Sequence, residues 1–403
     1  MTEALRNAEI RLDPPRIDGD RLQLSAAFGL PSEAPERLWY SVPVRCRTWL
    51  SPNADPFVIG FLFVIMHTGR PVHIRGRVSP SLLRNLDEYM AIWEMWRPEQ
   101  YRRVDLTADE ETELPPPSEA GLAVMAFSGG LDSSCTAWRH RRGLMGRRTR
   151  NLQAGVFVHG FDIPLADPSS YERAARKNAE TLRSVGVELT SVATNYRGLH
   201  TDWRDSHGAA LASCLALWAG RFDAGLIAAS GPYDLPGLRW GSTPLIDRLL
   251  SSRGFEIAHD GADLTRLDRA HILGEWPEAL RNLRVCWEGD PPDVNCCTCE
   301  KCIRTILEFR TVGSELPPCF PSDVTDDQIR QVKLHGRNAV LPLRRVVDAA
   351  HRAGLGQASW VRALEENLAR YASTDGRSSF RDWYRWARCL EPFRRLHRRF
   401  FGR

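Results

Sequence analysis

Between residues 121 and 230, short apolar runs alternate with longer segments in which apolar residues recur every three or four positions. The runs 121–127, 152–158, 188–193 and 224–230 have strand length, and 134–142, 170–185 and 203–221 carry helical spacing. Strands alternating with helices of this length predict a doubly wound α/β fold with a parallel sheet. Upstream, residues 39–49 alternate apolar and polar, 57–66 is continuously apolar, 72–75 and 101–106 resemble short strands, and 81–96 is helix-like. The acidic, proline-rich stretch after residue 107 has the composition of a linker. The pattern therefore predicts a small N-terminal α+β accessory domain (1–107), a linker (108–119), an α/β core (120–318) and a helical C-terminal extension (319–403).

Composition changes this picture little. At 403 residues the chain is long enough for two or three units, and a net charge of +4 gives no general pull toward nucleic acid. The longest apolar run is too short to cross a bilayer, so no membrane partner is expected. Ten cysteines without a leader-like N-terminus lead to the expectation of a reducing, cytoplasmic location. Residues 377–403 interleave nine arginines with aromatic residues. That pattern suits nucleic acid, although an amphipathic helix packed on its own protein accounts for it better.

The chemistry concentrates in two places. Ser128-Gly129-Gly130-Leu131-Asp132-Ser133 follows the first core strand and precedes a helix, where backbone N–H groups and a positive helix end face an anion. Two glycines allow close backbone approach, and the serines add hydroxyl donors. Asp132 would be repelled by bare phosphate, so it implies a Mg²⁺ ion or a hydrogen-bonded role in holding the loop. A Walker-type loop needs a lysine that this turn lacks; the chain's lysines are Lys177, Lys301 and Lys333.

The second place is Cys286, followed across a Pro-Pro loop by Cys296, Cys299 and Cys302 at successive C-x-x-C spacings. Four thiolates can close tetrahedrally on one Zn²⁺ in a structural site. A disulfide cluster and an iron–sulfur cluster are the competing explanations. Cys297 is surplus, at a position where such knuckles often carry glycine.

The Ser-Gly-Gly-x-Asp-Ser turn resembles the loop of the ATP pyrophosphatases, which split ATP between the α and β phosphates. Together with the downstream cysteines it is similar to the 7-cyano-7-deazaguanine synthases and their antiphage-defence relatives, over roughly residues 121–313. The resemblance implies a HUP-like core, ATP, Mg²⁺ and Zn²⁺. It also implies adenylation of 7-carboxy-7-deazaguanine or a related acid, pyrophosphate release, and acyl transfer to a nitrogen nucleophile.

On that basis Ser128, Asp132 and Ser133 are candidate catalytic residues, and the whole loop with His159 and Gly208 is expected to bind ATP. Asp162 is a further candidate for the ribose or adenine. Asp234, Arg239, Trp240 and Asp247 are candidates for recognising the deazaguanine, and Arg266 and Arg304 for neutralising a carboxylate or phosphate. The sequence outside the core suggests a macromolecular acceptor, a protein amine supplied by a partner encoded alongside. A tRNA-modifying enzyme, with Cys135 the one local thiol, and an inactive nucleotide-binding scaffold are the alternatives.

Overall fold

The computed structural model describes residues 7–29, 34–115, 117, 119–234, 239–286, 288–334 and 337–372, so the arginine-rich stretch 377–403 lies outside the described residues. The chain forms two compact units, Met1–Asn295 with Pro317–Cys319, and Cys296–Leu316 with Phe320–Arg403.

The first unit is built on one mostly parallel, eleven-stranded sheet. In chain order its elements are β1 (Ala8–Leu12), β2 (Arg16–Asp18), β3 (Arg21–Gly29), β4 (Glu36–Pro43), α1 (Asp55–Thr68), β5 (Val72–Val78), α2 (Pro80–Trp96) and β6 (Leu106–Glu111). There follow β7 (Leu122–Ala126), α3 (Leu131–Arg141), β8 (Asn151–His159), α4 (Pro168–Arg183), β9 (Glu188–Thr194), α5 (Trp203–Ala216), β10 (Ala224–Ala228), β11 (Glu256–Asp260), α6 (Arg266–Leu273) and α7 (Pro277–Asn282).

The predicted parallel core is present. Strands β9, β8, β7, β10 and β11 lie side by side in that order, each parallel to its neighbour. The first four residues of β7 and of β10 are buried, which is why these strands read as unbroken apolar runs. The chain runs outward from β7 to β9 and then returns to place β10 on β7's other flank. In such sheets ligands usually lie at this switch, outside the carboxyl ends of the strands.

The N-terminal elements continue the same sheet, where the sequence suggested a separate accessory domain. Antiparallel β4 joins β9 through the pairs Tyr40–Thr194 and Ser41–Ala193, and β3, β1, β5 and β6 follow outward. Arg21 clamps this junction, donating to the Ser41 carbonyl and hydroxyl and, at 2.7 Å, to the Ser191 hydroxyl. One apolar cluster runs from Ala8 on β1 to Ile257 on β11. The apolar run at 57–66 is α1, buried on every side from Asp55 to Met66. Gly60 brings this helix onto β4, since a Cβ there would lie 2.4 Å from Leu38.

The expected linker at 108–119 also begins inside the sheet. Residues 106–111 form the parallel edge strand β6, and its acidic residues pair with bases on β5, Asp109 with His73 at 2.8 Å and Glu110 with Arg77 at 3.0 Å. A charged, exposed edge has the composition of a linker because both avoid apolar residues.

The second unit contains α8 (Glu300–Thr311), α9 (Asp326–Gln331), α10 (Arg337–Arg352) and helical residues 359–372. Helix α8 stops before Gly313, which has φ +79°. Buried Ile303, Ile306, Leu307 and Phe309 line its inner side. The Asn367 amide donates to the carbonyls of Ile329, Arg330 and Val332, satisfying the end of α9. Among the described residues no helix is long and apolar enough to cross a membrane.

Burial pushes the Asp55 carboxyl up to about 6, against the Ser79 N–H and hydroxyl that it accepts at 2.9 and 2.6 Å. A carboxyl raised in the folded state contributes stability below its unfolded pKa of about 3.9, and that contribution is lost as pH rises through about 6. Asp55→Asn should remove this dependence and gain roughly 2–3 kcal/mol over the parent at pH 8, with little difference near pH 4. Denaturant titrations at both pH values check it, and an equal gain or loss at both would rule it out.

Candidate active site and metal centre

The Ser128–Ser133 turn leaves β7 at the strand-order switch and opens α3. Gly129 takes φ +75°, a conformation that costs an L-residue about 1–2 kcal/mol, and a Cβ on it would lie 2.1 Å from Asn178 Oδ1. The turn is held from within: Gly130 N–H donates to Ser128 Oγ at 3.3 Å, and Ser133 Oγ donates to the Gly130 carbonyl at 3.3 Å. Around it, Ser134 Oγ, Asn178 Nδ2 and Arg284 Nε are buried without a hydrogen-bond partner among the described residues. Such atoms are rare in folded proteins, and three by one turn mark a place with more donors than the chain itself satisfies.

Asp132 faces guanidinium groups. It accepts from Arg266 Nη1 at 3.1 and 3.0 Å and from Arg269 Nη1. Arg269 is 2% exposed; its Nη1 also donates to the Ala229 carbonyl at 2.6 Å, and its Nη2 to the carbonyls of Gly261 and Leu264 at 3.0 and 3.3 Å. Of the two roles that the sequence allows Asp132, holding the loop is the one these contacts describe. Arg266, with its side chain 12% exposed, is part of the same cluster.

The segment entering the cysteines lies along the turn. Arg284 donates its backbone N–H to the Gly129 carbonyl at 2.9 Å, and its buried guanidinium reaches Asp162 at 3.3 Å. Arg269, Asn178 and Arg284 have no local sequence signal: each is a single polar residue in an ordinary helix or loop, brought to the turn only by the fold.

Other predicted residues fall differently. His159 stacks on Tyr171 with centroids 4.3 Å apart, and its Nε2 lies 2.9 Å from the Pro164 carbonyl, closing the loop after β8. Gly208, expected beside the ATP phosphates, lies against the backbone of Gly241, whose oxygen would clash with a Cβ at 208. Asp234 and Arg239 are exposed and flank residues 235–238, which lie outside the described residues. Half-buried Trp240 packs edge-on against His207 at 5.3 Å. Asp247 is fully buried, accepting from Ser242 Oγ at 2.7 Å, Thr243 N–H at 3.2 Å and His259 Nδ1 at 2.8 Å. In the second unit, Arg304 pairs with Glu300 at 3.3 Å.

The sulfurs of Cys286, Cys296, Cys299 and Cys302 all lie within 4.8 Å of one another and could hold one metal ion such as zinc. Cys296 and Cys302 are 3.9 Å apart, close to the edge of about 3.8 Å for a tetrahedron with Zn–S near 2.3 Å. Backbone N–H groups of Thr298 and Cys299 donate to the Cys296 sulfur at 3.4 and 3.3 Å. Cys297 stands outside the four with φ +60°, the one left-handed non-glycine among the described residues, which explains the preference for glycine at that place. Asn295 staples the approach: its Oδ1 accepts from Val285 and Cys286 N–H, and its Nδ2 donates to the Leu283 and Cys319 carbonyls.

No family model matches the sequence, and neither the curated proteins nor the solved structures give a match.

Two outcomes follow from these contacts. Asp132→Ala strands the buried Arg269 charge and should destabilise the fold by about 3 kcal/mol in denaturant unfolding; unchanged stability would remove the loop-holding role. Elemental analysis should find about one zinc per chain, lost in Cys299→Ser and retained in Cys297→Gly. Zinc retained by Cys299→Ser would exclude that cysteine from the ligands.

Proposed function

We propose that the chain is an AMP-forming ligase of the ATP pyrophosphatase type with a HUP-like core. It binds ATP as its Mg²⁺ complex at the Ser128–Ser133 turn, adenylates 7-carboxy-7-deazaguanine or a related acid, and transfers the acyl group to a nitrogen nucleophile. The carrying observation is the Gly129 turn itself, placed at the switch point of the parallel sheet and surrounded by buried donors that the protein leaves unsatisfied. Departing pyrophosphate is a dense anion, and fixed N–H, hydroxyl and guanidinium donors stabilise its developing charge without having to reorganise.

In this reading Gly130, Ser133 and the start of α3 face the phosphates, and Arg266 and Arg284 supply positive charge beside them. The cysteine cluster holds zinc and shapes the approach to Arg284. The acceptor in this proposal is the α-amino group of a partner protein encoded alongside, in an antiphage setting. Such an amine is substantially unprotonated near neutral pH, with an ordinary pKa of roughly 7.7–8.0, whereas lysine at about 10.4 would need activation. The tRNA-thiolating alternative is weakened at Cys135, the thiol nearest the loop in sequence. Burial pushes it up to about 12, so it carries little thiolate at neutral pH.

The test is product analysis with ATP, Mg²⁺ and 7-carboxy-7-deazaguanine. AMP and pyrophosphate should form, and Gly129→Ala should lower the rate by about two orders of magnitude, equivalent to about 2.7 kcal/mol of barrier. ADP and orthophosphate as main products would reject the reading, and absence of turnover with any acid would favour an inactive scaffold. Intact-mass analysis of candidate partners reads out the acceptor.

A further inference from the structure

At the end of β11 two neighbouring residues point to opposite faces of the sheet. Asp260 turns toward α3 and accepts from Thr136 Oγ1 at 2.9 Å. His259 turns toward the 3-10 turn Asp247–Leu250, where its Nδ1 meets Asp247 Oδ2 at 2.8 Å. The fully buried Asp247 is fixed by its two further donors, Ser242 Oγ and Thr243 N–H. A carboxylate accepts only, so it sets His259 in the tautomer with hydrogen on Nδ1 and leaves the lone pair on Nε2. That nitrogen has no hydrogen-bond partner among the described residues, on a side chain 6% exposed.

Strand register locates it against the turn. His259 pairs with Ile227 on β10, and Leu226 pairs with Met125 on β7, so His259 stands level with Ala126, two residues before Ser128. Two strand spacings separate them, on the order of 10 Å.

We propose that His259 is the general base of the acyl-transfer step, oriented by Asp247. The proposal rests on the ligase reading above. When the amine attacks the acyl-adenylate, a C–N bond forms and the C–O bond to AMP breaks. AMP leaves with the bonding electron pair, and one N–H proton passes to His259 Nε2. The resulting imidazolium is stabilised by Asp247 and returns its proton to solvent.

The other titratable groups at this edge are engaged. Asp132 is bound by two arginines, Asp162 lies against Arg284, and Asp260 bonds Thr136 with His140 3.4 Å away. His207 also turns its Nδ1 inward, to the carbonyls of Trp203 and Arg204. It has no carboxylate on that nitrogen, and burial holds it below the ordinary histidine range.

The experiment compares two nucleophiles with the full-length chain, ATP and 7-carboxy-7-deazaguanine. Ammonium must shed a proton to attack, whereas hydroxylamine is largely unprotonated at neutral pH and needs less help. His259→Asn keeps an N–H donor for Asp247 while removing the base. Amide formation from ammonium should fall by about 100-fold or more, and hydroxamate formation should stay within about threefold of the parent. Equal losses with both nucleophiles, or no loss with ammonium, would overturn the base role and leave the ligase reading standing. A parent chain that forms hydroxamate but no amide has no such base to lose, which also overturns it. If the parent forms neither product and no AMP, the ligase reading fails and the base role falls with it.

Discussion

The carboxyl edge of the sheet depends on the buried charge of Arg269. An unpaired guanidinium in that position would cost several kcal/mol, and its two terminal nitrogens are both bonded. Nη1 donates to the Asp132 carboxylate and to the Ala229 carbonyl beyond β10, and Nη2 to the Gly261 carbonyl beyond β11 and the Leu264 carbonyl ahead of α6. One side chain thereby ties two strand ends and the first turns of two helices. The Ser128–Ser133 turn inherits its geometry from this network and from the left-handed Gly129, so its donors are held in fixed positions. Donors fixed in advance are what makes electrostatic stabilisation effective.

The N-terminal strands share in this arrangement. Only two residue pairs join β4 to β9, too few to hold a sheet together by backbone bonding. The union rests on side chains: α1 lies buried among both parts, Tyr40 donates to Ser213 on α5, and Arg97 and Tyr101 bond Asp205 in the first turn of α5. That helix follows β9 and carries His207 and Gly208 near its start, so the N-terminal elements also fix the helix that leads on to β10.

The features legible in the sequence are those with a local cause. A parallel strand buried on both faces must be apolar throughout, a tight left-handed turn wants glycine, and a tetrahedral thiolate site wants closely spaced cysteines, so β7, Gly129 and Cys296 through Cys302 could all be located in advance. The rest is set by partners far away in the chain. Residues 108–111 of β6 resemble a linker because their acids are satisfied by bases on β5 some thirty-five residues earlier. Asp132 allows a metal-binding or a loop-holding role, and the guanidinium that it meets, on Arg269, lies 137 residues later. Gly208 suggests room for phosphate, but the room is taken by the backbone of Gly241. In each case the residue type was informative and its partner was not.

Arg284 connects the two places where the chemistry concentrates. Its N–H fixes the Gly129 carbonyl, its guanidinium lies against Asp162, and two residues further on the chain reaches Cys286. Asn295 locks that approach by bonding Leu283, Val285, Cys286 and Cys319 together, and Arg173 on α4 holds Asp293 beside it at 2.7 Å. Among its described residues the segment has no regular secondary structure, so these side-chain bonds are what hold its course beside the Ser128–Ser133 turn.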